Sequence, residues 1–416
     1  MLITTDKKIS LSPAQLAWRR LKKNKLALFG LLVILFFSMV AVLGYLIMPE
    51  DSPNANNVQP ELSFKSPGFK TKMLRIRKNQ EMISQGFFSV MISGKIPDFE
   101  FEPINDFEFS GNDVIVSLYT GSSAKSTLSG ITKRYNLAEV IFAVKKNTIE
   151  SDEKNHVISF YNLDSKKSEY HSVKKLREIF LEENVFEKKF YLGTDKSGRD
   201  LLSRLIIGTR ISLSVGLISV FISILIGVIL GAMAGFFGGW IDESIQWLIN
   251  VMWSLPTLLL VVALTFALGK GFWQVFVAVG LTMWVDCARM VRGQILSIRE
   301  KEFVEAGKAL GYSNFRIIRR HILPSISSQV IVISASNFAT AIITEASLSF
   351  LGFGAQPPMV SWGKMIRDHI NYIDNPDTIY LTLVPGVAIM ILVLAFLLLG
   401  NGLRDVLDTK NTDQSI

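Results

Sequence analysis

Glu302-Phe303-Val304-Glu305-Ala306-Gly307-Lys308-Ala309-Leu310-Gly311, followed by Tyr312 to Pro324, lies between two apolar runs. Its layout predicts two short helices. Gly311 suits the left-handed position just past a helix end, Ser313 can cap the next helix, and Pro324 limits continuation into the apolar run beyond. Phe303, Ala306 and Leu310 share one face. Periodicity alone leaves open whether this is a working element or merely the structure of a loop.

The surroundings of this segment are basic: Arg289, Arg292, Arg299, Lys301, Lys308, Arg316, Arg319 and Arg320 all fall near it. A second cluster (Lys7, Lys8, Arg19, Arg20, Lys22, Lys23 and Lys25) immediately precedes the uncharged run Leu26–Met48. Basic residues flanking long apolar runs belong on the cytoplasmic side of a membrane. This placement therefore assigns the net charge of +8 and pI near 9.3 to a membrane protein and not to a partner of nucleic acid. The chain has 416 residues, 49% of them hydrophobic, with mean hydropathy +0.34. That is too apolar for an ordinary soluble protein and too charged for a pure membrane bundle, so two regimes are expected.

A hydrocarbon core of about 30 Å needs roughly 20 helical residues. Six segments fit: Leu26–Met48, Ile211–Phe237, Gln246–Leu268, Phe272–Ala288, Ile326–Phe350 and Ile379–Leu403. The fourth is short, since its uncharged stretch stops at Asp286. The sign pattern supports it, because six crossings with the N-terminus inside place the loop 289–324 in the cytoplasm. The loop Gly238–Ile245, with Asp242 and Glu243, gives the charge rule no help. The first run has no small-x-small cleavage site and reads as a retained anchor. Cys287, the single cysteine, excludes an intrachain disulfide or a thiolate cluster and reads as packing.

The same count puts 49–190 outside, between the first two spans, where long loops cross regardless of charge. Pro49, Pro53 and Pro60 with Asn54, Asn56 and Asn57 mark an exit linker. Beyond it Asp113–Thr120, Glu139–Val144 and His156–Asn162 read as strands. Ser172 can cap a helix carrying Leu176, Ile179 and Phe180. The expected architecture is an all-α polytopic membrane protein of six spans with an inserted extracytoplasmic α+β domain. Its parts are a cytoplasmic segment 1–25, a first span 26–48, the insertion 49–190, a core 191–409 and a tail 410–416.

The segment at Glu305 resembles the Glu-Ala-Ala loop of ABC importer permeases, whose pattern is Glu-Ala-Ala, three residues, Gly, nine residues, Ile-x-Leu-Pro. Glu305, Ala306, Gly311, Leu323 and Pro324 match with spacing intact. Gly307 replaces the second Ala, and His321 stands where many members have Ile, as is usual in the peptide-permease branch. The resemblance implies a type I importer permease whose loop couples to an ATPase subunit through Glu305, Ala306, Gly307, Gly311, His321, Leu323 and Pro324. Other stretches are similar to the C-type subunit of oligopeptide and dipeptide permeases. They are Trp18 to Lys25, Leu192 to Arg204, Ala346 to Gly352, Gln356-Pro357-Pro358 with Ser361-Trp362-Gly363, and Gly402 to Asp405. The likeness covers 12–48 and 191–409. The insertion departs from it, since that loop is much shorter in most members.

The implied partners are a second homologous permease, two ATPase subunits, an extracytoplasmic substrate-binding protein and the lipid bilayer. ATP and magnesium would sit on the ATPases. Gly193 to Gly198 has the spacing of a phosphate loop, but Arg199-Asp200 stands where Lys-Ser/Thr would hold the phosphates, so it reads as no nucleotide site. The sequence carries no catalytic or metal motif. Asp286 and Glu345, at or near span ends, are candidates for the translocation path or for interhelix polar contacts, Asp286 with Arg289 as one option. Gly227, Gly231 and Gly235 at four-residue spacing fit close helix contact, and Pro256 and Pro385 fit kinks. Peptide import is the function implied. Its rivals are import of nickel or another small solute in the same family, an ion-coupled secondary transporter using Asp286 and Glu345, and a membrane-anchored sensor.

Overall fold

A computed structural model describes residues 13–121, 131–152, 156–269 and 271–407. Lys7, Lys8 and the tail 410–416 lie outside them. In chain order the elements begin with helices α1 (Pro13–Lys23) and α2 (Lys25–Ile47), strand β1 (Phe69–Arg77) and helix α3 (Phe87–Ser93). Strands β2 (Phe99–Ser110), β3 (Asp113–Leu118) and β4 (Thr132–Asn136) follow, then helix α4 (Leu137–Ile141). Next come β5 (Glu150–Asp152), β6 (Val157–Asn162), β7 (Lys167–Ser172), α5 (Val173–Ile179) and β8 (Val185–Phe190). The remainder is helical: α6 (Leu201–Phe237), α7 (Gly239–Ser254), α8 (Thr257–Ala267), α9 (Phe272–Ile298), α10 (Glu302–Ala309) and α11 (Asn314–Ile317). It ends with α12 (Leu323–Ser325), α13 (Ser327–Leu351), α14 (Trp362–His369) and α15 (Tyr380–Leu407).

The chain divides into two compact units, one comprising Met1–Ala41, Thr209–Asp368 and Leu383–Ile416, the other Val42–Gly208 and His369–Thr382. The second unit thus reaches past 49–190 and takes in the segment before the last span.

Five helices, α2, α6, α9, α13 and α15, are long and apolar enough to cross a membrane, and the pair α7 and α8 makes a sixth if it counts as one span. That pair corrects the expectation of a single helix over Gln246–Leu268. It bends by 98°, because Leu255, preceding Pro256, is pushed to an extended conformation at φ −99° and ψ 137°. Pro385, by contrast, stays inside α15. Helix α6 starts ten residues earlier than Ile211, since the Asp200 carboxylate accepts from Ser203 N (2.9 Å) and Ser203 Oγ (2.5 Å) and so caps it. Helix α9 runs past Ala288 to Ile298, its added turns carrying the buried stripe Val291, Ile295 and Ile298.

In the first unit the glycine ladder of α6 meets α9. A Cβ at Gly227 would lie 2.6 Å from Cys287 Cβ, at Gly231 2.5 Å from Ala288 O, and at Gly235 2.9 Å from Arg292 O. These positions let the two backbones approach as larger residues would not. Cys287 is buried in this contact, as the packing reading expects.

The second unit holds a five-stranded antiparallel sheet of order β4-β3-β2-β1-β8 and a three-stranded one of order β5-β6-β7. Alternation places Val114 and Val116 of β3 and Ile158 and Phe160 of β6 in one core with Leu74, Leu137, Leu176 and Phe180. Ser172 caps α5, its Oγ accepting from Lys175 N at 3.4 Å. The strand expected over Glu139–Val144 is instead mostly the single-turn helix α4. Asn136 Oδ1 accepts from Ala138 N at 3.0 Å and starts the turn, and Leu137, Ala138 and Val140 fill the core. Capping and packing here outweigh β-branched propensity.

Candidate functional site

The segment 302–324 is a helix pair with two unlike faces. Helix α10 ends at Gly311, whose φ of +74° makes it left-handed, and Tyr312 N donates to Gly307 O at 3.0 Å to close the turn. Ser313 Oγ accepts from Arg316 N at 3.4 Å and caps α11. The inward face consists of Val304, Ile317, Ile322 and Ile326, buried with Val291, Ile295 and Ile298 of α9 and Ala232 of α6, so the pair is packed onto two spans. Leu323 lies at the edge of the same cluster. His321 stacks on the Tyr312 ring at 6.0 Å and 12°. The ring thereby gives His321 a local packing role in place of the family's Ile. Gly307 sits under Tyr312, where an added Cβ would make an ordinary 3.5 Å contact, so the missing second Ala leaves the geometry unaffected.

The outward face carries Phe303, Leu310 and Phe315, 42%, 70% and 70% exposed. Ala306 and Glu305 are exposed beside them. Among the described residues Glu305 has no ion-pair partner. Phe303, Ala306 and Leu310 therefore do share a face, and it is not the one packed on the spans. Phe315 and the inward set Val304, Ile317 and Ile322 escaped the sequence reading, although the spacing of Val304 and Gly307 was a usable signal.

The expectation for Pro324 needs correction. The helical path runs through a π-type turn at Ile318–Ile322 into α12 and breaks only at Ile326, with φ −102° and ψ 3°. Pro324 occupies the first turn of α12, where a missing N–H costs little.

The guanidinium of Arg292 donates to Asp242 through Nε (to Oδ1, 2.5 Å) and Nη2 (to Oδ2, 2.6 Å). Arg299 Nη1 donates to Gly235 O at 3.2 Å. Asp242, uninformative as a topology signal, is thus a tie between α7 and α9.

The two intramembrane carboxylates have opposite settings. Glu345 is buried: Ser349 Oγ donates to its Oε1 at 2.7 Å and Ser212 Oγ to its Oε2 at 3.4 Å, while Ser361 Oγ reaches Ser349 Oγ at 3.0 Å. It joins α6, α13 and the start of α14 as an interhelix polar contact. Gly363 completes this junction, where a Cβ would stand 2.4 Å from Ala346 O. Asp286 falls near the middle of α9 and is exposed. Arg289 does not pair with it, because that guanidinium lies over the Trp253 ring at 3.4 Å.

The Gly193–Gly198 segment is a folded anchor within the second unit. Asp195 Oδ1 accepts from Ser197 N (2.8 Å) and Arg199 N (3.0 Å), and its Oδ2 pairs with Arg199 Nε at 2.6 Å. Gln59 N donates to Ser197 O at 3.0 Å, and Lys65 N to Thr194 Oγ1 at 2.9 Å.

Five long apolar helices, with a bent pair that makes a sixth if it counts as one span, define a multi-pass membrane protein. The sequence pattern of the binding-protein-dependent transport system inner membrane component matches residues 227–413, and that of the N-terminal transmembrane domain of oligopeptide transport permease C matches 12–63. The dipeptide transport system permease protein DppC of Alkalihalophilus pseudofirmus is 41% identical over 220 residues, 53% of this chain and 72% of that one. The glutathione transport system permease protein GsiD of Pectobacterium atrosepticum gives the same identity and coverage. The chain belongs to the family of binding-protein-dependent transport system inner membrane components, and is a multi-pass inner-membrane transport subunit. A solved structure of the MetNI methionine ABC transporter in an inward-facing conformation aligns with 50% of this chain and 97% of its own, at 20% identity and a TM-score of 0.42. Residues 64–226 lie outside both family patterns.

Proposed function

We propose that this chain is one of two non-identical permease subunits of an ATP-driven importer for di- or oligopeptides, coupled to separate ATPase subunits through the helix pair at Glu305–Pro324. The observation that carries this reading is the two-faced loop. Its inner face is packed onto α6 and α9, so a push on the loop moves spans. Its outer side exposes Phe303, Leu310 and Phe315 as an apolar patch, and on the same short helix exposes Glu305, which has no ion-pair partner among the described residues. Such a patch suits a cleft on a partner protein.

In the cycle, closing of the ATPase dimer on ATP and magnesium drives the loop, and the spans alternate between inward and outward access. No covalent step is assigned to this chain. An extracytoplasmic binding protein delivers the substrate. Residues 49–190 lie on the outer side, with both termini inside. Asp286, exposed near the middle of α9, faces the second permease or the shared path, since a lone carboxylate on a span needs a polar counterpart. Peptides are preferred over nickel because the relatives' names specify dipeptide and glutathione transport. An ion-coupled carrier would need both carboxylates accessible, and Glu345 is enclosed by serines.

The test is Glu305→Lys in the complex reconstituted with its ATPases and binding protein. ATP-driven peptide uptake should be lost while membrane insertion and pairing of the two permeases persist. Uptake at the wild-type rate would remove the coupling role.

A further inference from the structure

Helix α3 has the wrong surface for a helix in water. Its sequence, Phe87-Phe88-Ser89-Val90-Met91-Ile92-Ser93, carries no charge and buries none of its side chains. Phe87, Phe88 and Ile92 are 62%, 72% and 61% exposed, and the preceding Met82 and Ile83 are exposed too. A globular domain normally places such a helix against its core, as this unit does with α4 and α5.

Within its own unit α3 is held at both ends. Gly94 ends the helix, its N–H donating to Val90 O at 2.9 Å with φ +80°. A Cβ on Gly94 would stand 3.1 Å from Tyr45 Cε1 and 2.9 Å from Pro53 Cα. Gln85 holds the other side of the segment, its Oε1 accepting from Ile96 N at 2.8 Å. Tyr45 belongs to the last turn of α2, an apolar helix of 23 residues that stops at Ile47. At 1.5 Å per residue α2 is about 35 Å long, enough for a hydrocarbon core of about 30 Å with its ends in the headgroups. A tyrosine in its last turn is at the depth where aromatic belts form. The backbone of α3 is therefore fixed beside the last turn of α2.

We propose that α3, with Met82 and Ile83, is an interfacial anchor that lies in the bilayer surface where the first span ends, with Phe87, Phe88 and Ile92 inserted at the headgroup and acyl boundary. Phenylalanine and isoleucine suit this boundary, and the exposed Lys95 just beyond the helix is at the level of the phosphates. The segment lies outside both family patterns, so the anchor is a property of the insertion. It holds the second unit to the lipid surface at a point separate from its covalent links to the spans.

Collision-accessibility spectroscopy on the full chain in lipid nanodiscs tests this. On a Cys287→Ala background, nitroxide labels would be placed singly at Phe88→Cys, at Ile92→Cys and, as a water-facing control, at Lys167→Cys. Oxygen should relax the labels at 88 and 92 more than a water-soluble nickel chelate does, shifting their depth parameter to the lipid side, while Lys167→Cys gives the reverse. Dominance of the nickel chelate at 88 and 92 overturns the proposal. Exclusion of both reagents overturns it as well, since the helix is then covered by protein. The unmodified chain offers a second measurement that no folding defect can disturb. Photolysis with a diazirine-bearing phospholipid should leave adducts on the peptide spanning 82–93, and their absence there, with adducts on α2 in the same sample, contradicts the anchor.

Discussion

The two units use the same apolar residue types to opposite ends. In the second unit Leu74, Ile104, Leu137, Phe160 and Phe180 are inside, and Arg77, itself buried, ties Asp164 at 3.0 and 3.1 Å and Asp98 O at 2.7 Å. In the first unit Phe29, Leu32, Leu35 and Phe36 of α2 face outward, and the helix contact between α6 and α9 is made by glycines. The contrast follows from the surroundings. Water drives large apolar side chains together, whereas lipid tails solvate them as well as protein does, leaving close backbone approach to favour association. A leucine is thus informative about the core only once the solvent of its segment is known.

The largest effect should come from the water-type core. Phe160→Ala removes a ring buried among Phe142, His171 and the strands of the second unit, and should destabilise that unit by about 3–5 kcal/mol. Hydrogen exchange on the full chain would show faster exchange in β5, β6 and β7, with α6 and α9 unchanged. Loss of protection in α9 as well would mean that the two units do not unfold separately.

For the lipid-type contact the damaging change is an addition. Gly231→Val puts atoms where the Ala288 carbonyl stands at 2.5 Å from the Cβ position and should cost about 1–3 kcal/mol by overpacking. A lowered melting temperature of the detergent-solubilised chain would show it. Gly386→Ala, with nothing within 4 Å of the new Cβ, is the matched control and should melt as the wild type does.

Within the helix pair 302–324 the two glycines separate conformation from space. Gly311→Ala meets no neighbour but must hold φ at +74°, a cost of about 1–2 kcal/mol confined to the turn. Gly307→Ala has an ordinary φ and an ordinary contact, and should leave stability and uptake unchanged. A reversed order of the two in thermal melting would show that crowding, not backbone handedness, governs this turn.

The smallest effect is a pH response of the three-stranded sheet. Burial raises the pKa of Glu169, but hydrogen bonds from Ser165 Oγ (2.6 Å), His171 Nε2 (3.0 Å) and Asn162 Nδ2 (3.0 Å) outweigh it and hold the carboxyl below its ordinary 4.5. A lowered acid pKa stabilises the fold above the unfolded value, and that contribution disappears as pH falls through the folded one. Exchange in β6 and β7 should therefore quicken below about pH 4.5 in the wild type, and less so in Glu169→Gln.

Sequence alone determined much of the membrane plan and the turn at Gly311, because both are written in local terms. Span length is a count of apolar residues, and Gly311, Ser313 and Ser172 act on neighbours within a few positions. Tertiary structure decided what depends on partners far along the chain. Whether Glu139–Val144 is strand or helix turned on the core that receives Leu137 and Val140. The limit of α9 turned on a stripe buried against the helix pair 302–324, and the enclosure of Glu345 turned on Ser212, 133 residues away. Asp286 and Glu345 look alike in the sequence, since each is a lone carboxylate in an apolar stretch. Only packing distinguishes them, because the cost of a buried charge is set by which dipoles the fold brings within reach.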